Sequence, residues 1–457
     1  MGLLKQFDQR DSAEIGQELH RFAAELFPIC RSITGDGIRK TLSVIEERVP
    51  LKIHEAPSGT AVFDWTVPKE WNVRDAYIKD SHGQRVVDFK KCNLHVLNYS
   101  TPIQKKMLLS ELKPHLFTLP DRPDWIPYRT SYYKEDWGFC MSHNQMLALP
   151  DGEYEVRIDS TLEPGYLTYG ECYLPGRSTD EVLISCHACH PSLANDNLSG
   201  ITVATALAQF LSGKDLRYSY RFLFMPGTIG AITWLARNRD AAARIRHGLV
   251  LTGIGDKGHF HYKKSRRDDA EIDRAVTHVL THYTKSAEIL EFSPYGYDER
   301  QYCSPGFNLP VGCLMRSVWG TFPEYHTSAD NLEFIHPLQL AESLRICAAT
   351  LDVLEYNQQY CNLNPYCEPQ LGRRNLYRSV GGESIGPEIN ARLWVLNLSD
   401  GEHSLLDIAE RSGIPFALIS DAADVLLQNG LLKPVQAEAK QESDRRAVSS
   451  TERPRRS

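Results

Sequence analysis

The densest group of chemically capable side chains is Ile184-Ser-Cys-His-Ala-Cys-His-Pro-Ser-Leu-Ala-Asn-Asp-Asn-Leu-Ser-Gly200. His187 stands just past the apolar run EVLISC. Asp196 lies in the loop before the apolar stretch GITVATALAQFL. An imidazole and a carboxylate meeting where a buried strand gives way to a helix suit a divalent metal, zinc above all. The same residues leave other chemistry open. Cys186-His-Ala-Cys189-His190 fits the C-x-x-C-H spacing of haem attachment, a short pattern that also arises by chance. Cys186 and Cys189 could be ligands, or Cys186 a core thiol beside histidines that cap the strand.

Three later stretches add partners for the first. In Phe322-Pro-Glu-Tyr-His-Thr-Ser-Ala-Asp-Asn331, His326 is a second candidate ligand and Asp330 a carboxylate that could orient it. Glu324 and Tyr325 adjoin it. Gly253-Ile-Gly-Asp256 sets an acid after a strand. Tyr297-Asp-Glu-Arg-Gln-Tyr302 supplies Glu299 and Arg300. Arg300 could grip a substrate carboxylate as a bidentate fork or neutralise Glu299. The aromatic and polar segment 128–139, YRTSYYKEDWGF, offers Tyr133 to a pocket wall or a core edge.

The hydrophobic pattern describes the scaffold that must hold these groups. Residues 12–29 and 38–48 repeat apolar side chains at helical spacing. Residues 63–127 change to short β-rich pieces between turn clusters, the texture of a small inserted domain. From residue 151, strands alternate with helices. EVLISC, YRFLFMP, GLVLTGIG and LPVGCLMR read as buried strands, so a largely parallel sheet covered by helices is expected. Ligands then bind beyond the carboxyl ends of the strands, where His187 sits. After a Pro-, Cys- and Tyr-rich linker at 357–384, helices at 387–398, 404–411 and 415–428 and a start of a wing at 431–435 follow the order of a winged helix–turn–helix. The expected division is 1–62 and 128–360 for the α/β domain, 63–127 for the insert, 385–436 for the winged helix and 437–457 for a disordered tail.

Composition sets bounds. The chain has 457 residues, enough for about three domains. With 42% hydrophobic and 24% charged residues it is not a disordered or fibrous chain. The 51 Lys and Arg against 58 Asp and Glu leave −7, which argues against a dedicated nucleic-acid binder. The third winged-helix segment, FALISDAADVLLQN, has no Lys or Arg and carries Asp421 and Asp424, so a packing or protein-contact module is expected there. No run approaches the ~18 apolar residues of a membrane span. The opening MGLLKQFDQRDSAEIG has no apolar centre and is no signal peptide, so a cytoplasmic chain is expected, with its 11 cysteines as thiols. The substrate would be small, and a homo-oligomer is compatible with everything above.

On His187, the Asp196-Asn-Leu-Ser-Gly200 loop and Tyr325-His326-Thr327, the chain resembles the zinc aminopeptidase/glutamate carboxypeptidase clan. More closely it resembles a bacterial aminopeptidase-like family with an inserted β domain and a C-terminal winged helix. LFPICRSITGDGIR, VFDWTVPKEW, YYKEDWGFC, CHACHPSLANDNLSG, DERQYCSPGFNLP and EYHTSADN carry that likeness over about residues 25–335. The resemblance implies an α/β zinc-peptidase-like fold and a zinc-dependent hydrolase of a small peptide or an N-acyl or aminoacyl amide. It implies one or two zinc ions on His187, Asp196 as the bridge and His326, with Asp256 as a further acid. Three residues at two motifs depart from the clan. Cys189 replaces the Asp of His-x-Asp, and Gly227 and Thr228 stand where the clan has a Glu pair that includes the general base. Glu299, Glu324 and His190 are the substitutes the motifs offer as acid or base, with Arg300, Tyr325 and Tyr133 on the substrate side. A metal-binding, non-hydrolytic assembly module and a metal-dependent acyl transferase or cyclase are the alternatives.

Overall fold

The computed structural model describes residues 2–377 and 386–435. The tail expected at 437–457 lies outside the described residues, as do positions 385 and 436. The chain divides into two units, Met1–Ala349 and Thr350–Ser457.

The first unit is built on an eight-stranded mixed sheet. Across it the order is Leu51–Pro57, Tyr166–Leu174, Ser219–Met225, Glu181–His187, Ile245–Leu251, Val311–Met315, Phe260–Lys263 and Ala287–Leu290. The middle four strands are parallel, their neighbours Tyr166–Leu174 and Phe260–Lys263 run antiparallel to them, and the edge strands pair antiparallel at Leu51–Pro57 and parallel at Ala287–Leu290. Glu181–His187, Ser219–Met225 and Val311–Met315 are buried at every residue. Both faces of these strands are covered, so they read as unbroken apolar runs rather than alternating ones. Glu181, the charged exception at a strand start, is fully buried but bound to Arg221 on the next strand at 2.6 Å and to Arg244 at 2.8 Å. The sheet changes direction of growth at Glu181–His187. The next strand in sequence, Ser219–Met225, lies on one side of it and Ile245–Leu251 on the other. Such a switch leaves a crevice past the carboxyl ends of the strands, and His187 ends the strand at that crevice.

A second sheet of four antiparallel strands has the order Arg85–Asp88, Glu70–Lys79, Glu153–Glu163, Ile103–Leu108. The β-rich insert is therefore not contained in 63–127. One of its two central strands comes from residues 153–163, within the stretch expected to belong to the α/β domain. The local pattern YEVRIDS suits either sheet. The long pairing from Glu70↔Glu163 to Lys79↔Glu155 decides between them. Trp71 anchors this sheet, its indole N–H donating to the Ser100 carbonyl at 2.8 Å and its ring stacked on Tyr99.

In the second unit the helices Pro387–Leu398, Leu405–Ser412 and Phe416–Gln428 accompany a three-stranded sheet. Its central strand, Gln359–Asn362, comes from the stretch expected to be linker and pairs with Asp400–Ser404 and Leu432–Pro434. Ser404 and Asp407 form a reciprocal capping box at the second helix. Gly413 ends that helix in the left-handed region, at φ 66°.

Candidate metal centre

The sheet delivers His187 fully buried at a strand end, and the following turn delivers Asp196. That turn, Ala194–Ser199, leaves helical geometry at Asp196 and Asn197. Two side chains fix it. The Asn197 side-chain oxygen accepts from Gly200 N and Gly253 N, both at 3.2 Å, while its Nδ2 donates to Leu251 O at 2.9 Å. This ties the turn to the end of the neighbouring parallel strand. The Asp330 carboxylate accepts from the amides of Asn195 at 2.6 Å and Asp196 at 2.9 Å. Asp330 thus holds the backbone of the Asp196 turn and does not orient His326, the role its spacing suggested. Burial pushes its carboxyl up to about 8.

The side chains then converge on one carboxylate. His187 Nε2 lies 2.7 Å from Asp196 Oδ1. His326 Nε2 lies 3.0 Å and His190 Nε2 3.9 Å from Asp196 Oδ2. Asp196 Oδ2 and His326 Nε2 are buried and lack a hydrogen-bond partner of suitable geometry. The ligand atoms of His187, His190 and Asp196 all fall within 4.8 Å of one another. Burial opposes ionisation of Asp196, yet His190, His187 and His326 together hold it well below the usual carboxylate range. Burial pushes His190 well below the ordinary histidine range, against the pull of the Asp196 carboxylate. Buried polar atoms that face each other without bonding are costly unless something sits between them. Imidazole nitrogens and carboxylate oxygens at this spacing fit a zinc-type cation. The structure puts His190, a candidate acid or base by its motif, among the candidate ligands.

Other expected site residues are placed differently. Asp256 does not join the cluster. Its oxygens accept from Asn195 Nδ2 at 2.8 Å, Ser317 Oγ at 2.8 Å and Gly258 N at 2.6 Å, so it braces the same loop from behind. Glu299 is fully buried and pairs with Lys263 at 2.8 Å, not with Arg300; a carboxylate so engaged is a poor base. Arg300 acts on buried Asp298, whose carboxyl is pushed well above its ordinary range by burial and by Glu299, against the Arg300 charge. Tyr133 is half exposed and packs edge-on against Trp65, with no contact to the histidines. Glu324 sits part-buried two residues before His326, and its backbone carbonyl accepts from Thr327 N and Oγ1. Tyr325 stacks on His326 at 4.0 Å between ring centres and lines a small cleft with Asp196, Trp319 and Phe322.

Two aromatic residues that the sequence did not single out complete the site. Tyr128, not Tyr133, is the tyrosine of its segment that faces the histidines. Its ring lies 5.1 Å from those of both His190 and His326, and its N–H donates to His326 O at 2.8 Å. The Tyr297 ring lies 3.9 Å from that of His187. A Cβ at Gly227 would meet this ring at 2.3 Å and its hydroxyl at 2.7 Å. Cys189 Sγ closes the group, 3.8 Å from Gly227 O and 3.9 Å from the Tyr297 hydroxyl. Burial pushes the Cys189 thiol up to about 12 and Cys186 well above its ordinary value. Both motifs were visible in the sequence, but nothing local marks which ring turns inward.

Known proteins share this architecture. Residues 20–357 match the family described as a domain of unknown function (DUF4910), and residues 358–434 match a winged helix-turn-helix family. A Clostridium acetobutylicum protein named "Putative polysaccharide biosynthesis protein with aminopeptidase-like domain" is 53% identical over 93% of this chain and 98% of its own length. A crystal structure of a "putative peptidase" from Clostridium acetobutylicum superposes with a TM-score of 0.90 at 51% identity, over 94% of this chain and 100% of that one. A zinc aminopeptidase from Bacillus subtilis gives a TM-score of 0.54 at 12% identity, over 74% of this chain and 94% of that one, a likeness of fold. The chain belongs to the DUF4910 family, an aminopeptidase-like fold followed by a winged helix-turn-helix domain.

Proposed function

We propose that this protein is a zinc-dependent, aminopeptidase-like hydrolase of a small peptide or an N-acyl or aminoacyl amide. The convergence of His187, His190 and His326 on Asp196, with two buried ligand atoms left unpartnered, carries the reading. In it, His187, Asp196 and His326 hold one or two ions and His190 adds a further donor. A divalent ion held there supplies Lewis acidity towards a carbonyl and acidifies water. The chain does the rest. Asp330 and Asn197 hold the Asp196 turn in place. Tyr128 packs against the rings of His190 and His326 and Tyr325 stacks on His326, which holds these imidazoles in place. Glu324 carries the proton to the leaving amine, since Glu299 is neutralised by Lys263. Partners beyond the substrate are expected to be protein rather than nucleic acid, given Asp421 and Asp424 and the lack of Lys or Arg on the helix Phe416–Gln428.

A second reading, a metal-binding member that does not hydrolyse or that transfers or cyclises its acyl group, is favoured by Tyr297. Its ring fills the place where Gly227 would otherwise carry a side chain. The test is elemental analysis of untagged protein with and without added zinc, then turnover on a library of small peptides and N-acyl and aminoacyl amides. Zinc that is lost in His187→Ala and His326→Ala, with hydrolysis of any member, supports the first reading. Zinc without turnover, or a cyclised or transferred product, supports the second. No zinc removes both. Glu324→Gln is expected to lower kcat by ~10²–10⁴-fold with zinc content unchanged; an unchanged rate would remove Glu324 from proton transfer.

A further inference from the structure

A second group of metal-competent side chains lies at the far edge of the main sheet. His261, on the strand Phe260–Lys263, is directly opposite Glu288 on the edge strand Ala287–Leu290. His261 Nε2 is 3.5 Å from Glu288 Oε2. His259 lies two residues earlier, its ring 4.3 Å from that of His261. One ligand atom from each of the three falls within 4.8 Å of the others.

The backbone selects the tautomer. His261 Nδ1 is hydrogen-bonded to the Arg316 carbonyl. A carbonyl only accepts, so Nδ1 carries the proton and the Nε2 lone pair faces Glu288 and His259. A backbone carbonyl on the far ring nitrogen is the support that metal-binding histidines receive. Two cations of these strands are paired elsewhere: Lys263 with Glu299 and Arg316 with Glu342. His259 and Glu288 are exposed, while the His261 side chain is 12% exposed, so an ion reaches the group from the His259 and Glu288 side and keeps water in its remaining positions.

We propose that His259, His261 and Glu288 form a second, surface site for a borderline divalent metal such as zinc or copper. It clips the edge strand Ala287–Leu290 to its neighbour. Two imidazoles and one carboxylate with open positions suit zinc, nickel or copper, with copper(II) binding tightest by the general order of affinities. Such an ion binds only the folded chain and protects a sheet edge from fraying.

The experiment is titration of the full-length, untagged, chelator-stripped protein with zinc and with copper(II), read by calorimetry and by copper EPR. In His187→Ala, which disables the first centre, one ion is expected to remain, with an EPR signature of nitrogen ligation. His259→Ala and Glu288→Gln, both at exposed positions, are each expected to weaken that ion at least ~10-fold and leave the His187 centre filled. His261→Ala should do the same, and circular dichroism on all variants separates ligand loss from misfolding. If His187→Ala binds no ion, or if His259→Ala and Glu288→Gln bind it as tightly as their parent, the site is a plain histidine–glutamate pair and the proposal fails.

Discussion

Asp196 is the carboxylate on which three imidazoles converge, and its neighbours show how far this site departs from a standard metallopeptidase. Where the clan it resembles has acids, this chain has Cys189 and Gly227, and the Tyr297 ring packs against both. The two departures fit the ring: it occupies space that a longer side chain at 227 would need. Restoring a carboxylate by Gly227→Glu should therefore overpack the site and destabilise the protein by about 1–3 kcal/mol. Adding Tyr297→Ala should recover part of that loss. Chemical denaturation of the single and double variants checks it, and a fully stable Gly227→Glu would show that the ring moves aside freely.

At the scale of elements, the Asp196 turn is positioned by loops from distant parts of the chain. Asp330 reaches it from beyond the strand Val311–Met315, and Asn195 and Asn197 link it to residues 251–256. Asp330→Asn keeps the size but turns an amide N–H towards a backbone N–H. The mismatch should cost about 1–3 kcal/mol. Zinc affinity should fall by ~10–100-fold, the usual effect of disturbing residues that orient ligands. Competition with a chelator reads the affinity, and thermal unfolding reads the stability. Unchanged zinc affinity would mean that the turn holds its shape without Asp330.

At the scale of the whole molecule, several histidines are stored neutral in the core. Burial lowers His95 and His247, and burial with His282 close by lowers His278 from 6.5 to about 4. The unfolded chain binds protons at these groups at a higher pH than the folded chain does, so acid favours unfolding. The stability they contribute is fully present above about 6.5 and falls as pH drops towards 4. Each tenfold difference in proton affinity between the folded and unfolded chain is worth about 1.4 kcal/mol. Urea midpoints measured across that range should decline less steeply in His278→Gln. An identical slope would show that His278 takes no part.

The sequence alone determined the four buried parallel strands of the main sheet, because burial on both faces leaves continuous apolar runs whatever else surrounds them. It also marked His187, Asp196 and His326 as side chains at the ends of strand, turn and loop, and the fold brings these three together. The winged helix was legible from Ser404, Gly413 and Pro415, which cap and break helices by local chemistry. Tertiary structure alone decided the partners. Glu299 pairs with Lys263, Asp330 with the amides of the Asp196 turn, and Tyr128 faces the histidines in place of Tyr133. It also assigned residues 153–163 to the inserted sheet and 359–362 to the three-stranded one. A side chain's type and local spacing are written in the chain. Which residue it meets depends on contacts between segments far apart in sequence, and no local pattern records those.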